Sequence, residues 1–431
     1  MTKYVIQGGR RLHGQVAVSS AKNAAVAILA GTALTEGLCV IDNLPRISDI
    51  TVQLEILRRL GARIRMLNAN AMEIDCSRLR SSKVLDDELA RQNRASYYFI
   101  GSLLGRYKTS QVCMPGGCNL GVRAIDQHIK GFEALGANIS TKNGCVVAEA
   151  PAGLRGAHIY LDMPSVGATI NIMLAAVRAQ GMTYIENPAK EPHVVDLANF
   201  LNTCGADVRG AGTDVIKIRG VRTLHGCNYS IIPDQIEAGT YIAAVAACGG
   251  EITVNNVIPK HLDCFATKFT EMGVEITDLG DAVFVKRVKS LSRANFKTLP
   301  YPGFPTDMQA PAVAVLSIAD GTSIINETIF SSRFRYVDEL RRMGARIQAD
   351  GQIAIVEGVL CLTGAKIHAC DLRAGAALVI AGLAASGITE ISGIAHIERG
   401  YELFVEKLRN LGADIRREEY PDIEDIEGIN A

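Results

Sequence analysis

The sequence predicts an α/β protein built from six repeated units of about 70 residues each. Three observations support this prediction: a helix-ending glycine recurs at nearly constant spacing, an apolar helix precedes it in every unit, and short strands follow both helices. The chain has 431 residues, 48% of them hydrophobic, which is enough for one large core or two moderate ones.

The helix-ending signal is a Leu, Met or Cys, then Gly, then Ala or Val, and then a short strand. Its glycines are Gly61, Gly136, Gly205, Gly273, Gly344 and Gly412, which lie 75, 69, 68, 71 and 68 residues apart. Glycine after the last helical residue adopts a positive φ without the steric cost of a Cβ. Each glycine therefore predicts the end of a surface helix.

The second recurring element is a segment rich in Ala, Gly and other small residues. It occupies residues 21–34, 94–105, 165–177, 234–247, 306–319 and 371–385. A helix that is apolar on nearly all sides belongs in a core. Because the two elements recur in phase, we interpret each unit as strand, buried helix, strand, surface helix, strand.

The buried helices begin with polar residues, which are Lys22, Asn23, Arg94, Ser165, Asp234, Asp307, Asp371 and Arg373. Helix N-termini carry free N–H groups and partial positive charge, so they attract anions. Ordinary N-capping explains the Ser and Asp residues. It explains the three cations poorly, because a cation is disfavoured there unless an anion is present.

Composition excludes several classes of protein. The formal net charge is zero, which argues against nucleic-acid binding through clustered Lys and Arg. No secretory signal and no membrane-length apolar run is visible, which favours a cytoplasmic protein. Eleven scattered cysteines then predict reduced thiols. Without C-x-x-C or H-E-x-x-H, we expect no metal and no cofactor.

The most distinctive local motif is the run MPGGCNLGVR at residues 114–123. Pro-Gly-Gly predicts a turn or flexible loop, and it places the thiol of Cys118 five residues before Arg123. Reactive cysteines occupy accessible, electropositive places. The spacing alone does not assign chemistry, since a cysteine nucleophile would need a histidine base and His128 is the nearest in sequence.

These motifs together resemble the UDP-N-acetylglucosamine 1-carboxyvinyltransferases, of the enolpyruvyl transferase family. The resemblance rests on SAKNAA from Ser20, PGGCNLGVRAIDQHIKGFEALGA from Pro115, SVGATINIM from Ser165, FPTDMQA from Phe304, DLRAGAAL from Asp371 and HIERGYE from His396. It runs in order over nearly the whole chain.

The resemblance implies a fold of two similar domains, each an inside-out α/β barrel of three units. The implied first domain is residues 22–230, with the Cys118 loop, and the second is 1–21 with 231–431. The active site is expected in the interdomain cleft. The implied reaction joins phosphoenolpyruvate to the 3-hydroxyl of UDP-N-acetylglucosamine and releases phosphate, as the first committed step of peptidoglycan synthesis. The oligomeric state stays open, with a monomer favoured.

The resemblance also implies roles for individual residues. Cys118 matches the catalytic acid, and Asp307 matches the group that takes the proton from the sugar hydroxyl. Lys22, Arg123 and Arg399 match residues that hold phosphoenolpyruvate, and Arg94 matches a substrate-binding arginine. Nucleotide-sugar contacts and polar residues of the same cleft are implied at Asn23, Arg123, Ala124, Ile125, Asp126, Gln127, Ser165, Val166, Gly167, Asp307, Ile329, Asp371 and Arg373.

Two alternatives remain beside this interpretation. The shikimate-pathway enolpyruvyl transferase shares the repeat architecture but lacks the cysteine loop. A catalytically weak paralogue could instead bind the nucleotide sugar as a sensor, since fold alone never settles activity.

Cys118 generates a first prediction. Neighbouring cations favour its thiolate, whereas a general acid must be protonated. We expect phosphoenolpyruvate to neutralise those cations and help return the proton. Alkylation of Cys118 should therefore be rapid in the empty protein and slowed by saturating phosphoenolpyruvate, as followed by mass spectrometry of the labelled peptide. Equal rates with and without phosphoenolpyruvate would contradict this hypothesis.

Overall fold

The protein divides into two compact units. The structure is a computed structural model that describes residues 2–79, 87–113 and 125–419. Within those ranges, one unit comprises residues 20–232 and the other combines residues 2–19 with residues 233–419. No helix in these ranges is both long and apolar enough to span a membrane.

The helices and strands follow in chain order. Up to residue 113 they are β1 (Thr2–Gln7), β2 (Leu12–Ala17), α1 (Lys22–Thr32), β3 (Leu38–Asp42), α2 (Ser48–Leu60), β4 (Arg63–Asn68), β5 (Ala71–Asp75), α3 (Asp87–Gln92), α4 (Tyr98–Tyr107) and β6 (Thr109–Cys113). From 126 to 230 they are α5 (Asp126–Ala134), β7 (Asn138–Lys142), β8 (Cys145–Glu149), β9 (His158–Tyr160), α6 (Val166–Ala176), β10 (Met182–Glu186), α7 (Pro192–Thr203), β11 (Asp207–Arg209), β12 (Val215–Arg219) and β13 (Asn228–Ser230).

The remaining elements belong to the other unit. They are α8 (Gln235–Cys248), β14 (Gly250–Asn255), α9 (Asp263–Glu271), β15 (Glu275–Asp278), β16 (Ala282–Arg287), β17 (Phe296–Lys297), α10 (Gln309–Leu316), β18 (Thr322–Asn326), α11 (Val337–Arg342), β19 (Arg346–Asp350), β20 (Ile353–Glu357), β21 (Lys366–His368), α12 (Leu372–Ala384), β22 (Ile388–Ser392), α13 (Ala395–Glu398), α14 (Phe404–Asn410) and β23 (Asp414–Glu419). Single 3₁₀ turns occupy Arg94–Tyr97, Pro259–His261 and Thr306–Met308.

The predicted apolar helices form the core of each unit, which confirms the α/β prediction. Helices α8, α10 and α12 pack against one another, and α4 packs against both α1 and α6. Every residue of α12 from Leu372 to Leu383 is buried. Small residues permit this close approach, since a Cβ on Gly101 would lie 2.3 Å from the carbonyl oxygen of Asn171. The apolar helices are therefore inside and the sheets outside.

Sheets of short strands cover the helices. In residues 20–232 the strand orders are β13-β3-β5-β4, β6-β8-β7 and β11-β12-β10-β9. In the other unit they are β15-β16-β14-β2, β17-β18-β20-β19 and β21-β22-β1-β23. Each four-stranded sheet has one parallel pair, such as β9 with β10, and two antiparallel pairs. The shared strand order shows that the chain segments forming these sheets are structural repeats.

The first two strands complete sheets whose other strands lie more than 200 residues away in sequence. Strand β1 is antiparallel to both β22 and β23, with Tyr4 opposite Ile391 and Arg417. Strand β2 is parallel to β14, with Val16 opposite Val254. In the unit of residues 20–232, the late strand β13 similarly pairs with the early strand β3.

The six predicted helix-ending glycines all have positive φ, between 90° and 110°. At each, the glycine N–H bonds to the carbonyl three residues back, and the next N–H bonds to the carbonyl five residues back. For Gly136 these acceptors are Glu133 and Phe132. This is the hydrogen-bond pattern of a helix closed by a left-handed residue, so the predicted helix ends are confirmed.

One part of the predicted unit is wrong. We expected a single strand after each surface helix, but an antiparallel hairpin follows, for example β7 with β8 and β11 with β12. The β7–β8 turn is Asn143-Gly144, whose φ angles are 50° and 73°. Two consecutive positive φ values match the two-residue turn whose twist suits a hairpin.

The expectation of reduced cysteines is also wrong at one place. Cys113 and Cys145 form a disulfide. The two residues are directly opposite each other on β6 and β8. Register brings their side chains to the same face of the sheet, which spacing in the sequence does not reveal.

The helix-ending glycines generate a second prediction. At Gly136, φ is +90° and an added Cβ would meet nothing within 4 Å, so substitution costs backbone strain alone. Gly136→Ala should lower the free energy of unfolding by about 1–2 kcal/mol, measured by urea unfolding. Gly136→Asn is the matched control and should lose less unfolding free energy than Gly136→Ala, because Asn tolerates the left-handed conformation. Equal losses in both variants would contradict this explanation.

Candidate functional site

The site residues expected from the sequence fall into two groups, one on each unit. The first group, in residues 20–232, comprises Lys22, Asn23, Arg94, Ile125, Asp126, Gln127, Ser165, Val166 and Gly167. The second group, in residues 233–419, comprises Asp307, Ile329, Asp371, Arg373 and Arg399. Cys118, Arg123 and Ala124 lie outside the described residues.

Lys22 is the first residue of α1, followed by the half-buried Asn23. The Lys22 Nζ lies 3.1 Å from Asp49 Oδ2, and the two side chains are 15% and 3% exposed. Asn93 Nδ2 in turn donates to the main-chain oxygen of Asp49 at 3.0 Å. Asp49 thus supplies the anion that a cation at this helix end requires, and it ties α1 to the segment before Arg94.

Arg94 begins a 3₁₀ turn that leads directly into α4. The turn is capped by Asn93, whose Oδ1 accepts from the Ala95 N–H at 2.9 Å. Burial lowers the pKa of Arg94, and the nearby phenols of Tyr97 and Tyr98 oppose this shift. A partly buried guanidinium interacts more strongly with an anion than an exposed one does, because less water screens the two charges.

His128, on α5, is held as a neutral ring. Asn171 Nδ2 donates to Tyr97 O and also lies 2.9 Å from His128 Nδ1. The Gly101 N–H bonds to Asn171 Oδ1, which fixes the orientation of the amide. His128 Nδ1 must therefore accept, and the ring proton is on Nε2.

The pKa of His128 agrees with this tautomer. Burial lowers it from 6.5 to about 4, with a further lowering by the charge of Arg94 and an opposing effect of Asp126. His128 is thus uncharged near neutral pH and is a hydrogen-bond donor at Nε2 rather than a cation.

The N-terminal ends of α5 and α6 are joined by side chains. A Cβ on Gly167 would lie 2.9 Å from His128 Nε2, so only glycine fits there without a shift. Gln127 Nε2 donates to Asp162 Oδ2 at 3.0 Å and to Asp126 Oδ2 at 3.1 Å. Ser165 Oγ caps α6 by accepting from the Ala168 N–H. Ile125 immediately precedes α5, and Val166 is the first residue of α6.

In the second group, Asp307 is the centre of an ion cluster. Arg333 Nη2 lies 3.1 Å from its Oδ1, and Arg373 Nη2 lies 3.3 Å from its Oδ2. The arginine side chains are 3% and 4% exposed. Capping explained Asp307 equally well from the sequence, but no side chain caps this turn. The carboxylate pairs with two cations instead.

Arg333 is a residue that the sequence analysis missed. It follows Ile329 in a loop whose position is set by the buried Glu327. Glu327 Oε1 accepts from the Ile329 N–H at 2.9 Å, and its Oε2 accepts from Thr306 Oγ1 at 3.0 Å. The Glu327 carboxylate thus links Ile329 to Thr306, the residue before Asp307. The sequence offers no signal that separates Arg333 from the neighbouring Arg335.

Asp371 and Arg373 occupy the start of α12. Asp371 Oδ1 caps the helix by accepting from the N–H groups of Arg373 and Ala374. The Arg373 guanidinium lies over the ring of Tyr401, 5.4 Å from its centroid. Within the described ranges, the buried Arg373 Nη1 and Arg333 Nε have no hydrogen-bond partner. Such donors are costly unless another acceptor satisfies them.

Arg399 ends the short helix α13. The next residue, Gly400, lies against α12, since an added Cβ would be 2.5 Å from Leu372 Cδ2. Burial lowers the pKa of the neighbouring His396, and the charge of Arg399 lowers it further. The structure thus places Arg399 beside the start of α12. Asp307 is in direct contact with Arg373, which also lies at the start of α12.

His128 generates a third prediction. The imidazole binds its second proton more tightly in the unfolded chain than in the folded one. The free energy of unfolding should therefore fall as the pH drops from about 6.5 to about 4. A shift of this size corresponds to about 3 kcal/mol. Urea unfolding of the wild type and of His128→Gln between pH 4.5 and 7 isolates this contribution. Parallel pH dependence in the two proteins would show that His128 titrates normally.

Comparison with known proteins identifies the family. The family model for EPSP synthase (3-phosphoshikimate 1-carboxyvinyltransferase) matches residues 6–408. A UDP-N-acetylglucosamine 1-carboxyvinyltransferase of Clostridium botulinum is 54% identical over 97% of this chain and 100% of its own length. UDP-N-acetylglucosamine 1-carboxyvinyltransferase 3 of Caldanaerobacter subterraneus is 55% identical over 97% and 99%.

Solved structures share the fold. The enolpyruvyl transferase NikO from Streptomyces tendae is similar with a TM-score of 0.87 and 27% identity, over 97% of this chain and 99% of that one. EPSP synthase from Acinetobacter baumannii has a TM-score of 0.75 at 20% identity, over 97% and 100%. By sequence and by fold, this chain belongs to the EPSP synthase family of enolpyruvyl transferases, together with the UDP-N-acetylglucosamine 1-carboxyvinyltransferases.

Proposed function

We propose that this chain transfers the enolpyruvyl group of phosphoenolpyruvate to the 3-hydroxyl of UDP-N-acetylglucosamine and releases phosphate. The observation that carries the proposal is the 54% identity, over 97% of the chain, with a relative that bears this activity in its name. The cations and free N–H groups within each residue group are suited to an anionic ligand.

The cations have the chemistry to bind phosphoenolpyruvate. Lys22, Arg123 and Arg399 would hold its phosphate and carboxylate, and Arg94 would add a further guanidinium. The Asp49 contact at 3.1 Å restrains the Lys22 ammonium, so less side-chain entropy is lost on binding. Because the net charge of the chain is zero, attraction for the substrate must come from such local groups.

The helix starts of the first group would bind the nucleotide sugar. The free N–H groups at the starts of α5 and α6 and the neutral Nε2–H of His128 are donors suited to the oxygens of a diphosphate. In the second group, the unsatisfied donors of Arg333 and Arg373 would be satisfied by oxygens of the bound sugar nucleotide.

The reaction proceeds by addition and then elimination. The sugar hydroxyl oxygen forms a bond to C2 of phosphoenolpyruvate while C3 gains a proton from Cys118. The hydroxyl proton passes to Asp307. Phosphate then leaves C2 with the electrons of its C–O bond and takes the proton from Asp307. C3 returns a proton to the Cys118 thiolate, which restores the double bond and both side chains.

The two arginines beside Asp307 fix the position of its carboxylate through contacts of 3.1 Å and 3.3 Å. Proton transfer to Asp307 would accompany formation of the C–O bond, because the hydroxyl becomes acidic as that bond forms. The same anion can stabilise positive charge that develops at C2.

The proposal extends to the cellular role. The product would enter peptidoglycan synthesis, and the enzyme would act in the cytoplasm. The alternatives are a nucleotide-sugar sensor and a shikimate-pathway transferase. The relatives at 54% and 55% identity favour the sugar-nucleotide enzyme over both.

The decisive experiment measures phosphate release from phosphoenolpyruvate with UDP-N-acetylglucosamine, with shikimate 3-phosphate, or with no acceptor. We expect release with the first alone. Cys118→Ala should lower the rate by about 10²–10⁴-fold, because it removes the general acid, while nucleotide-sugar binding persists.

The matched control is Cys361→Ala, which removes an exposed thiol in the other unit and should leave the rate unchanged. Release with shikimate 3-phosphate would instead support the shikimate-pathway enzyme. Binding of UDP-N-acetylglucosamine to the wild type without phosphate release would support the sensor.

A further inference from the structure

Three cysteines meet in the unit of residues 20–232, and none of them is among the residues assigned to the reaction. The Sγ atoms of Cys39, Cys204 and Cys227 all lie within 4.8 Å of one another. Cys204 Sγ and Cys227 Sγ are 3.3 Å apart. Cys39 and Cys204 are buried, and Cys227 is partly exposed. Three thiols from distant parts of the sequence thus share one centre.

The backbone holds each of the three cysteines in place. Cys39 is on β3, and Cys227 immediately precedes β13, which pairs with β3 in parallel. The Val40 N–H donates to Cys227 O at 2.8 Å, and the His225 N–H donates to Cys204 O at 2.9 Å. Cys204 is the residue that ends α7. The cluster therefore joins a helix end to two strands and is fixed by main-chain hydrogen bonds.

We propose that Cys39, Cys204 and Cys227 form a binding site for a thiophilic metal ion such as Zn²⁺ or Cd²⁺. A metal–thiolate bond of about 2.3 Å separates neighbouring sulfur ligands by about 3.8–4.0 Å. This separation lies between the 3.3 Å from Cys204 Sγ to Cys227 Sγ and the 4.8 Å within which all three sulfur atoms lie. Sulfur-only ligands select soft ions over Mg²⁺ or Ca²⁺.

Binding at this site is a ligand exchange without a redox step. The aqueous ion loses all but one of its water ligands, each thiol forms one metal–sulfur bond, and each thiol proton goes to solvent. The fourth position of a tetrahedral ion keeps a water molecule. The ion enters past Cys227, which is the only partly exposed member of this cluster of three. Once bound, it links β3, α7 and the segment before β13.

The test uses the full-length chain, reduced with a phosphine and freed of metal with a chelator. Cd²⁺ is then titrated while ultraviolet thiolate-to-metal charge transfer is recorded. We expect one Cd²⁺ per chain bound through three thiolates and a higher melting temperature. Cys227→Ser should weaken this binding by more than about 100-fold, since replacing even an outer-shell partner costs 10–100-fold.

Cys361→Ser is the matched control, because it removes an exposed thiol outside the cluster. It should bind Cd²⁺ like the wild type. If Cys227→Ser does not fold, as judged by circular dichroism, Cys39→Ala removes a different ligand and should lose the same site. Unchanged Cd²⁺ binding in the folded cluster variant, no binding by the wild type, or recovery of Cys204 and Cys227 as a disulfide would each overturn the proposal.

Discussion

Burial of six apolar helices is the constraint on which the rest of the structure depends. A charged side chain in the middle of such a helix would lose its water without gaining a partner, so charged groups remain only at the helix ends. The ends then need anions of their own, which Asp49 supplies to Lys22 and Asp307 supplies to Arg373. The helix packing that stabilises each unit therefore also restricts these charged side chains to the helix ends.

The repeat, the buried helices and the helix ends could be predicted because each depends on local chemistry. Gly205 and Gly412 need no distant residue to adopt a positive φ, and an apolar segment is recognisable by itself. The hairpins were equally local, since Asn143-Gly144 is a strong turn signal. They were missed because one strand, rather than two, was assigned after each surface helix.

The features that could not be predicted depend on register and on contacts between distant segments. The Cys113–Cys145 disulfide follows from two strands meeting at one position of alignment. The Arg333 contact with Asp307 depends on a loop whose path is set by Glu327. In the first group, the tautomer of His128 depends on Asn171, 43 residues away. The family resemblance identified positions, but the charges and partners at those positions required the structure.

The pairing of β1 and β2 with late strands has a consequence for synthesis on the ribosome. The unit of residues 20–232 has its last strand, β13, available before the other unit has been translated. The first seventeen residues, in contrast, wait for β14, β22 and β23. At about 5–20 residues per second this delay is roughly 20–80 s. During that time β1 and β2 lack their partner strands, and unpaired strands offer their N–H and C=O groups to other chains.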